Sequence, residues 1–426
     1  VKERLKTVLL VVLVVGSLLQ SYVLIFRFPG SDSVVQSKDA YIRTEEMGPE
    51  EKPENLLFPD KMIIHQGEDK HTVFYPNDTF YNLVYNRLKG RTFDNFQRRM
   101  VNNIDWAKVR SENRGIELSF DSGIPVTLLQ RVMQIVPDTL FEGESINKIW
   151  LYSVEGEAKI HVMFFSTEGD VVYEAAQADL TVQDVDQLVD FGLSWTPYKM
   201  VDGRYYTPEK ELNMVSIELP IGEYTVEQMQ RSLFFDPSIT RNIREKDGSE
   251  IYTDSKRSLQ VDQGQKWISY TDPAAPPSGE SSPGKDVLSA IDFVNQHGGW
   301  NGTYRLAKAS ESEDRTLVKF QQYYGGFPIL NTPGFQYGVM ELDLQQGTVT
   351  SYERSLLYLE SAALKKQMVK LTGGEALEAK LKPYVEEKNV VMGLDPAYLP
   401  VRTGEGLLLK PVWALKLQNG SVITLE

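Results

Sequence analysis

The chain has 426 residues, with 45 Lys and Arg against 59 Asp and Glu, a net charge of −14, and no cysteine. An acidic surface repels phosphate backbones, which sets nucleic acid aside as a partner, and the missing sulfur removes disulfides, thiolate metal sites, iron–sulfur clusters and thiol nucleophiles. Hydrophobic content of 41% and charged content of 24% are those of a globular chain whose length predicts two or three folded units.

Lys2, Arg4 and Lys6 form a short basic tail, 1–6, followed by Thr7 to Phe26, twenty residues without a charge. As a helix this segment is about 30 Å long, one crossing of a bilayer's hydrocarbon core. It is longer than a signal peptide's apolar region and ends in Ile25-Phe26-Arg27-Phe28-Pro29 with no small-residue cleavage site, so 7–26 reads as an uncleaved transmembrane anchor. The basic tail places the N-terminus in the cytoplasm and the bulk of the chain outside the membrane. Lys2, Glu3, Arg4, Lys6 and Arg27 sum to +3, which leaves −17 for the exterior part, a charge that keeps it off anionic lipid. Gly16, Ser17, Gln20 and Ser21 gather on one helix face by the 3.6-residue period, among Leu and Val elsewhere. Small residues let helix backbones approach, and a Gln amide in hydrocarbon seeks a partner, so this face is the expected helix–helix contact.

Residues 27–56, acidic and proline-rich, read as a stalk. From Leu57 the pattern predicts a mixed domain over 57–179. Strands Lys61 to His65 and His71 to Tyr75 flank a polar turn, Asn77 or Asp78 caps a helix to Gly90, Ile116 to Phe120 alternates and Val126 to Ile135 has helical spacing. Ile146 to Val154, Lys159 to Ser166 and Val171 to Ala178 form a meander. A second unit, 180–272, has helices from Thr181 and Thr225, a strand at Leu212 to Leu219 and strands at Glu250 to Asp254, Ser258 to Asp262 and Lys266 to Thr271. The proline-rich stretch 273–284 is a linker.

The last unit, 285–426, carries a repeat: Leu342-Asp343-Leu344-Gln345-Gln346-Gly347-Thr348-Val349 returns as Leu415-Lys416-Leu417-Gln418-Asn419-Gly420-Ser421-Val422. Each copy is a hairpin with glycine in its turn, and each follows an amphipathic helix, Asp286 to His297 and Glu375 to Val385. The expected fold class is therefore α+β: a transmembrane helix, then three mixed extracytoplasmic domains with antiparallel sheets, the last built from two helix-plus-sheet units.

Chemistry is sparse. The nearest nucleophile signal is Ser145-Ile146-Asn147-Lys148, an S-x-x-K; its companion S-D-N and K-T-G elements are missing, so it reads as a loop serine before a strand. His65 and His71 flank the first turn without a third metal ligand and are expected to face solvent or an edge. His161 sits on a strand, and His297 in a helix's last turn, where a cation favours the dipole. Asp184, Asp186 and Asp190 read as a solvated helix face rather than a catalytic carboxylate pair. Asn77, Asn301 and Asn419 head glycosylation-type triplets, the last explained by its hairpin turn. Tyr323 and Tyr324 read as core. No catalytic set, cofactor site or metal site is expected.

The basic tail after Val1, the anchor opening Lys6-Thr7-Val8-Leu9-Leu10, the cysteine-free exterior and Tyr323-Tyr324-Gly325-Gly326-Phe327-Pro328-Ile329 before the Leu342 hairpin together resemble the YycH family. The resemblance runs the length of the chain. It implies a membrane-anchored accessory protein of Gram-positive bacteria. With the related YycI protein, it acts on the WalK (YycG) sensor histidine kinase through contacts among membrane helices, within the two-component system controlling cell-wall metabolism. It also implies three exterior domains, the last two resembling YycI, and its helix-plus-sheet units are similar to PepSY modules. The runner-up reading is an extracytoplasmic peptide- or ligand-sensing PepSY-like module; a wall hydrolase is a third, which a cleft with convergent carboxylates would distinguish.

Overall fold

The computed structural model describes Lys6, Val14, Ser17 and residues 46–276, 281–312, 315–332, 334–386, 390–404 and 406–426. They fall into two units, Val1–Thr44 and Glu45–Glu426. In the first unit the three described residues are helical and exposed; the rest of the expected anchor and of the stalk up to 45 lies outside the described residues. Among the described residues no helix is long and apolar enough to cross a membrane.

The second unit is α+β. It opens with a strap that the sequence assigned to the stalk. Met47 N–H donates to the Gly298 carbonyl (2.9 Å), Trp300 N–H to that of Pro49 (3.0 Å), and the Asn295 amide brackets Glu51, accepting from its N–H and donating to its carbonyl (both 2.9 Å). Gly298 and Gly299, at φ +110° and +77°, permit this approach: a Cβ on Gly299 would stand 2.3 Å from the Gly48 oxygen. Residues 46–56, expected as stalk, therefore belong to the folded second unit. Composition missed this because the strap is held by backbone bonds, with Met47 the one apolar side chain it buries before the short helix α1 (Pro53–Leu56).

The first sheet follows with β1 (Lys61–Gln66), β2 (His71–Phe74), α2 (Thr79–Lys89), β3 (Thr92–Met100), α3 (Trp106–Glu112), β4 (Arg114–Pro125), α4 (Val126–Val132) and β5 (Gln134–Ile135). The meander β6 (Ser145–Ser153), β7 (Ile160–Ser166), β8 (Val171–Ala178) precedes α5 (Val182–Asp190), a 3-10 turn (Phe191–Ser194) and the hairpin β9 (Tyr198–Val201), β10 (Tyr205–Pro208). The local signals are sound. Asp78 caps α2 by accepting from Phe80 N–H (2.7 Å), and Thr181 and Asp184 form a capping box on α5, each cap contributing about 1 kcal/mol. Strand order is β10-β9-β2-β1-β4-β6-β7-β8-β3-β5, antiparallel except for β3 with β5.

Beyond this come β11 (Leu212–Glu223), α6 (Val226–Leu233), the strands β12 (Arg241–Arg244), β13 (Glu250–Thr253), β14 (Ser258–Asp262) and β15 (Trp267–Thr271), then α7 (Pro283–Gln296). The rest is β16 (Thr303–Ser312), β17 (Arg315–Tyr324), β18 (Phe327–Pro328), β19 (Val339–Gln345), β20 (Thr348–Ser355), β21 (Leu357–Leu359), β22 (Lys365–Leu371), α8 (Gly374–Glu386), β23 (Val391–Arg402), β24 (Gly406–Leu417) and β25 (Val422–Leu425). Among the described residues, a second sheet orders β21-β11-β24-β23, with β22 on β11 and β25 on β24, and a third orders β12-β13-β14-β15-β20-β19-β17-β16, with β18 on β17.

The segment 180–272, expected as a unit of its own, is thus shared out. β9 and β10 extend the first sheet past residue 179, β11 joins the second, and β12 to β15 run across residue 272 into the third. Each piece has one apolar face and completes it elsewhere: Ile217 and Leu219 of β11 pair with Leu409 and Leu407 of β24, and Tyr270 of β15 with Tyr352 of β20. Both repeat octapeptides are hairpins, turned by Gln346-Gly347 (φ +48°, +77°) and by Gly420 (φ +82°), but they belong to the third and second sheets respectively.

The three sheets meet over residues 58 to 61. Arg305 on β16 donates from Nε to the Phe58 carbonyl (2.6 Å) and pairs with Asp60 (2.7 Å), which also accepts from Tyr323 Oη (3.0 Å) and Asp121 N–H (2.6 Å). Lys61 reaches Asp395 on β23 (2.6 Å), and Lys416 on β24 bridges Asp121 and Asp395. Arg305 is 2% exposed and Asp60 11%, so removing one partner strands a desolvated charge. Arg305→Met is expected to lower the unfolding free energy by about 3–5 kcal/mol in urea titrations; adding Asp60→Asn should recover part of that loss, because the uncompensated carboxylate is then gone.

Candidate functional site

Of the expected contact face, Gly16, Gln20 and Ser21 lie outside the described residues, and Ser17 is helical and exposed. The remaining candidates are accounted for by structural partners. Lys148 turns to Glu117 (3.3 Å) rather than to Ser145, which opens β6. Asp186 and Asp190, expected on a solvated face, both take Arg114 of β4 and so fasten α5 to the first sheet, while Asp184 serves the capping box. The face keeps its exposure and gains a partner because Arg114, 72 and 76 residues earlier in the chain, is brought beside it.

The histidines depart furthest from expectation. His65 and His71 are 0% and 1% exposed, neither at an edge nor facing solvent. β9 pairs beside β2 at His71 and Tyr198, and the Tyr206 ring of β10 packs 5.4 Å from His71, covering what a hairpin alone would leave open. Their Nδ1 atoms are 3.1 Å apart; His65 Nε2 lies 3.3 Å from Glu117 and His71 Nε2 3.3 Å from Asp69. Burial pushes both imidazoles down, His71 to about 4. Against the upward push of burial, Lys148 and His65 hold the Glu117 carboxyl well below its usual range. His161 lies between Glu174 and Glu157 (3.0 Å each) and stacks on Tyr152. His297, expected to act as a cation at the end of α7, is instead kept neutral by burial and donates Nδ1–H to the Phe293 carbonyl (2.7 Å). Tyr323 is core, bonded to Asp60. Among the described residues no three His, Asp or Glu side chains converge for a metal ion.

A surface feature that the sequence did not single out lies beside α5. Leu83, Phe191, Leu193 and Trp195 are 40%, 55%, 60% and 47% exposed. Phe191 and Trp195 are joined beneath the surface by one aromatic run, Phe191 on Phe80 (6.1 Å), Phe80 on Phe74 (4.5 Å) and Phe74 on Trp195 (5.3 Å). Exposed apolar side chains clustered in this way mark an interaction surface more often than scattered ones do. The 3-10 turn displays them: it ends α5 after one amphipathic face is satisfied, and Phe191, Leu193 and, just past the turn, Trp195 each keep about half of their surface exposed.

What the geometry offers is a set of bonded scaffolds and surfaces, and family comparison gives it a context. The family model for "YycH protein, N-terminal domain" matches residues 3–191, and that for "YycH protein, C-terminal domain" matches residues 203–425. The chain belongs to the YycH family. A Bacillus subtilis (strain 168) relative, "Two-component system WalR/WalK regulatory protein YycH", is 21% identical over 444 residues, spanning 99% of this chain and 96% of its own length. The crystal structure of YycH from Bacillus subtilis matches with a TM-score of 0.72 at 19% identity, over 89% of this chain and 98% of that one, a likeness of fold. Family members thus share the α+β architecture, and the break between the two family models, 192–202, falls inside the first sheet, at β9.

The exposed patch has a direct test. Phe191→Ser with Leu193→Ser is expected to change the unfolding free energy by less than about 1 kcal/mol, as surface substitutions do, while lowering the binding of a fluorescent apolar dye to the native protein. A loss of several kcal/mol would make these side chains core.

Proposed function

We propose that this protein is a non-enzymatic, membrane-anchored accessory protein that regulates the WalK (YycG) sensor histidine kinase, acting with YycI. Its helix 7–26 crosses the membrane once, with the N-terminus in the cytoplasm and the sheets outside. The observation that carries this reading is membership of the YycH family along both halves of the chain, joined to a full-length relative whose name is that of a WalR/WalK regulatory protein. The uncharged twenty-residue run beside Lys2, Arg4 and Lys6 supports the anchor. Regulation of this kind requires no catalytic group: a helix that packs better against one arrangement of the kinase's membrane helices than against another shifts the balance by that difference. A coupling of 1–3 kcal/mol is typical of such effects and corresponds to roughly 5–150-fold. Gly16, Ser17, Gln20 and Ser21 are the face assigned to that contact.

In-membrane crosslinking and co-purification test the proposal, comparing the native chain with one whose 7–26 is replaced by an unrelated apolar helix. Capture of the kinase and YycI is expected with the native anchor and is expected to fall with the substitute. Capture of neither partner by an intact, inserted protein would overturn the mechanism and favour a ligand-sensing module. Within the anchor, Gly16→Ile with Gln20→Leu is expected to weaken kinase capture while leaving insertion unchanged; undiminished capture would remove this face from the mechanism.

A further inference from the structure

Asp69, His71, His65 and Glu117 form a continuous row of polar groups, with contacts of 3.3, 3.1 and 3.3 Å. Each of the three contacts needs one hydrogen between its heavy atoms. Two neutral imidazoles bring only two. Glu117 is 4% exposed and cannot turn to water, so the first hydrogen belongs on His65 Nε2, donated to Glu117. His65 Nδ1 is then an acceptor, and the second hydrogen sits on His71 Nδ1, donated to it. His71 Nε2 is left bare beside the carboxylate of Asp69, whose side chain is 70% exposed and free to turn outward.

We propose that the pair is a one-proton acid switch: His71 takes up the third hydrogen at Nε2 and is clasped by Asp69, while His65 stays neutral as long as the fold holds. The order follows from what surrounds each ring. His65 feels Arg110 of α3 and Lys148 of β6 as well as Glu117 of β4, and any proton added to its Nδ1 would point at His71 Nδ1–H across 3.1 Å. His71 feels His65, Arg110 and Asp69, with the Tyr206 ring of β10 against it and the Tyr206 hydroxyl held neutral by burial. The charge therefore enters at the outer end of the row.

The position gives the switch an output. His71 is the residue through which β2 pairs with β9, and Asp69 N–H donates to the Ser111 carbonyl at the end of α3 (2.8 Å). A proton on His71 thus changes a seam between the first sheet and the hairpin β9–β10 that leads into β11 of the second sheet. The sign is fixed by linkage. The folded protein binds this proton with a pKa of about 4 against 6.5 for an ordinary imidazole, so between these values the unfolded chain holds more protons. The contribution of this group is complete above about pH 6.5, declines as the pH falls and levels off below about 4, a drop in the folding constant of at most about 300-fold.

Nitrogen-15 NMR of the four histidines in the full-length protein in detergent micelles, from pH 8 to 4, is the test. At neutral pH His65 is expected as the Nε2–H tautomer and His71 as the Nδ1–H tautomer, with His71 alone of the two becoming doubly protonated, well below pH 6. Asp69→Asn should move that midpoint to lower pH, and His71→Gln should lessen the acid decline of the thermal midpoint, leaving the share of His65 and His297. Should a variant fail to fold, the wild-type tautomers decide by themselves. The proposal is overturned if His71 is the Nε2–H tautomer at neutral pH, if both histidines titrate independently near pH 6.5, or if Asp69→Asn leaves the His71 midpoint in place.

Discussion

The ion pair between Arg305 and Asp60 is the constraint on which the arrangement of the sheets depends. It lies where a four-residue segment, Phe58 to Lys61, touches all three: Asp121 from the first, Asp395 from the second, Arg305 and Tyr323 from the third. A buried pair of this kind adds little net stability, because desolvation consumes much of the attraction. Its effect is on uniqueness. Apolar surfaces between sheets can slide, whereas a guanidinium that must find both the Phe58 carbonyl and the Asp60 carboxylate has one position in which its charge is compensated. Registers of β1, β4 and β16 follow from that position, and through Lys61 and Lys416 so does the placement of β23 and β24.

Much of the local structure was legible because it is local. The Asp78 and Thr181 caps, the turns at Gly67, Gly156 and Gly169 and the period-two runs of the meander each declare themselves within a few residues. What failed was the grouping. Strands such as Ile217 to Leu219 or Ser258 to Asp262 carry an apolar face without any mark of which partner completes it, and β9, β10 and β12 are too short to carry a period at all. The proline-rich segment before α7 drew a boundary that the pairing of β15 with β20 runs straight across.

The site followed the same rule. His65 and His71 were noticed for their spacing and misjudged for their surroundings, since a hairpin read alone has two open faces and nothing in its sequence announces the tyrosines of β9 and β10. Asp186 and Asp190 do keep solvent exposure, as a solvated face implies; what stayed hidden was Arg114, a partner from another strand. The apolar turn at 191 to 195 went unremarked because Phe, Leu and Trp at the end of an amphipathic helix look like its continuation into the core. Only the termination of α5 at Asp190 turns them outward.

The strap at Met47 to Glu51 bears on how the protein is made. Its partners, Asn295 to Trp300, lie 244 residues later in the chain as measured from Glu51 to Asn295. At the roughly 5–20 residues per second of chain synthesis, the strap waits on the order of 10–50 s for the residues that hold it. During that interval Asp60 also stands without Arg305, although β1 already has its neighbours β2 and β4 in the first sheet. The strap that opens the second unit is therefore among the last of its parts to be secured, although it is among the first to be made.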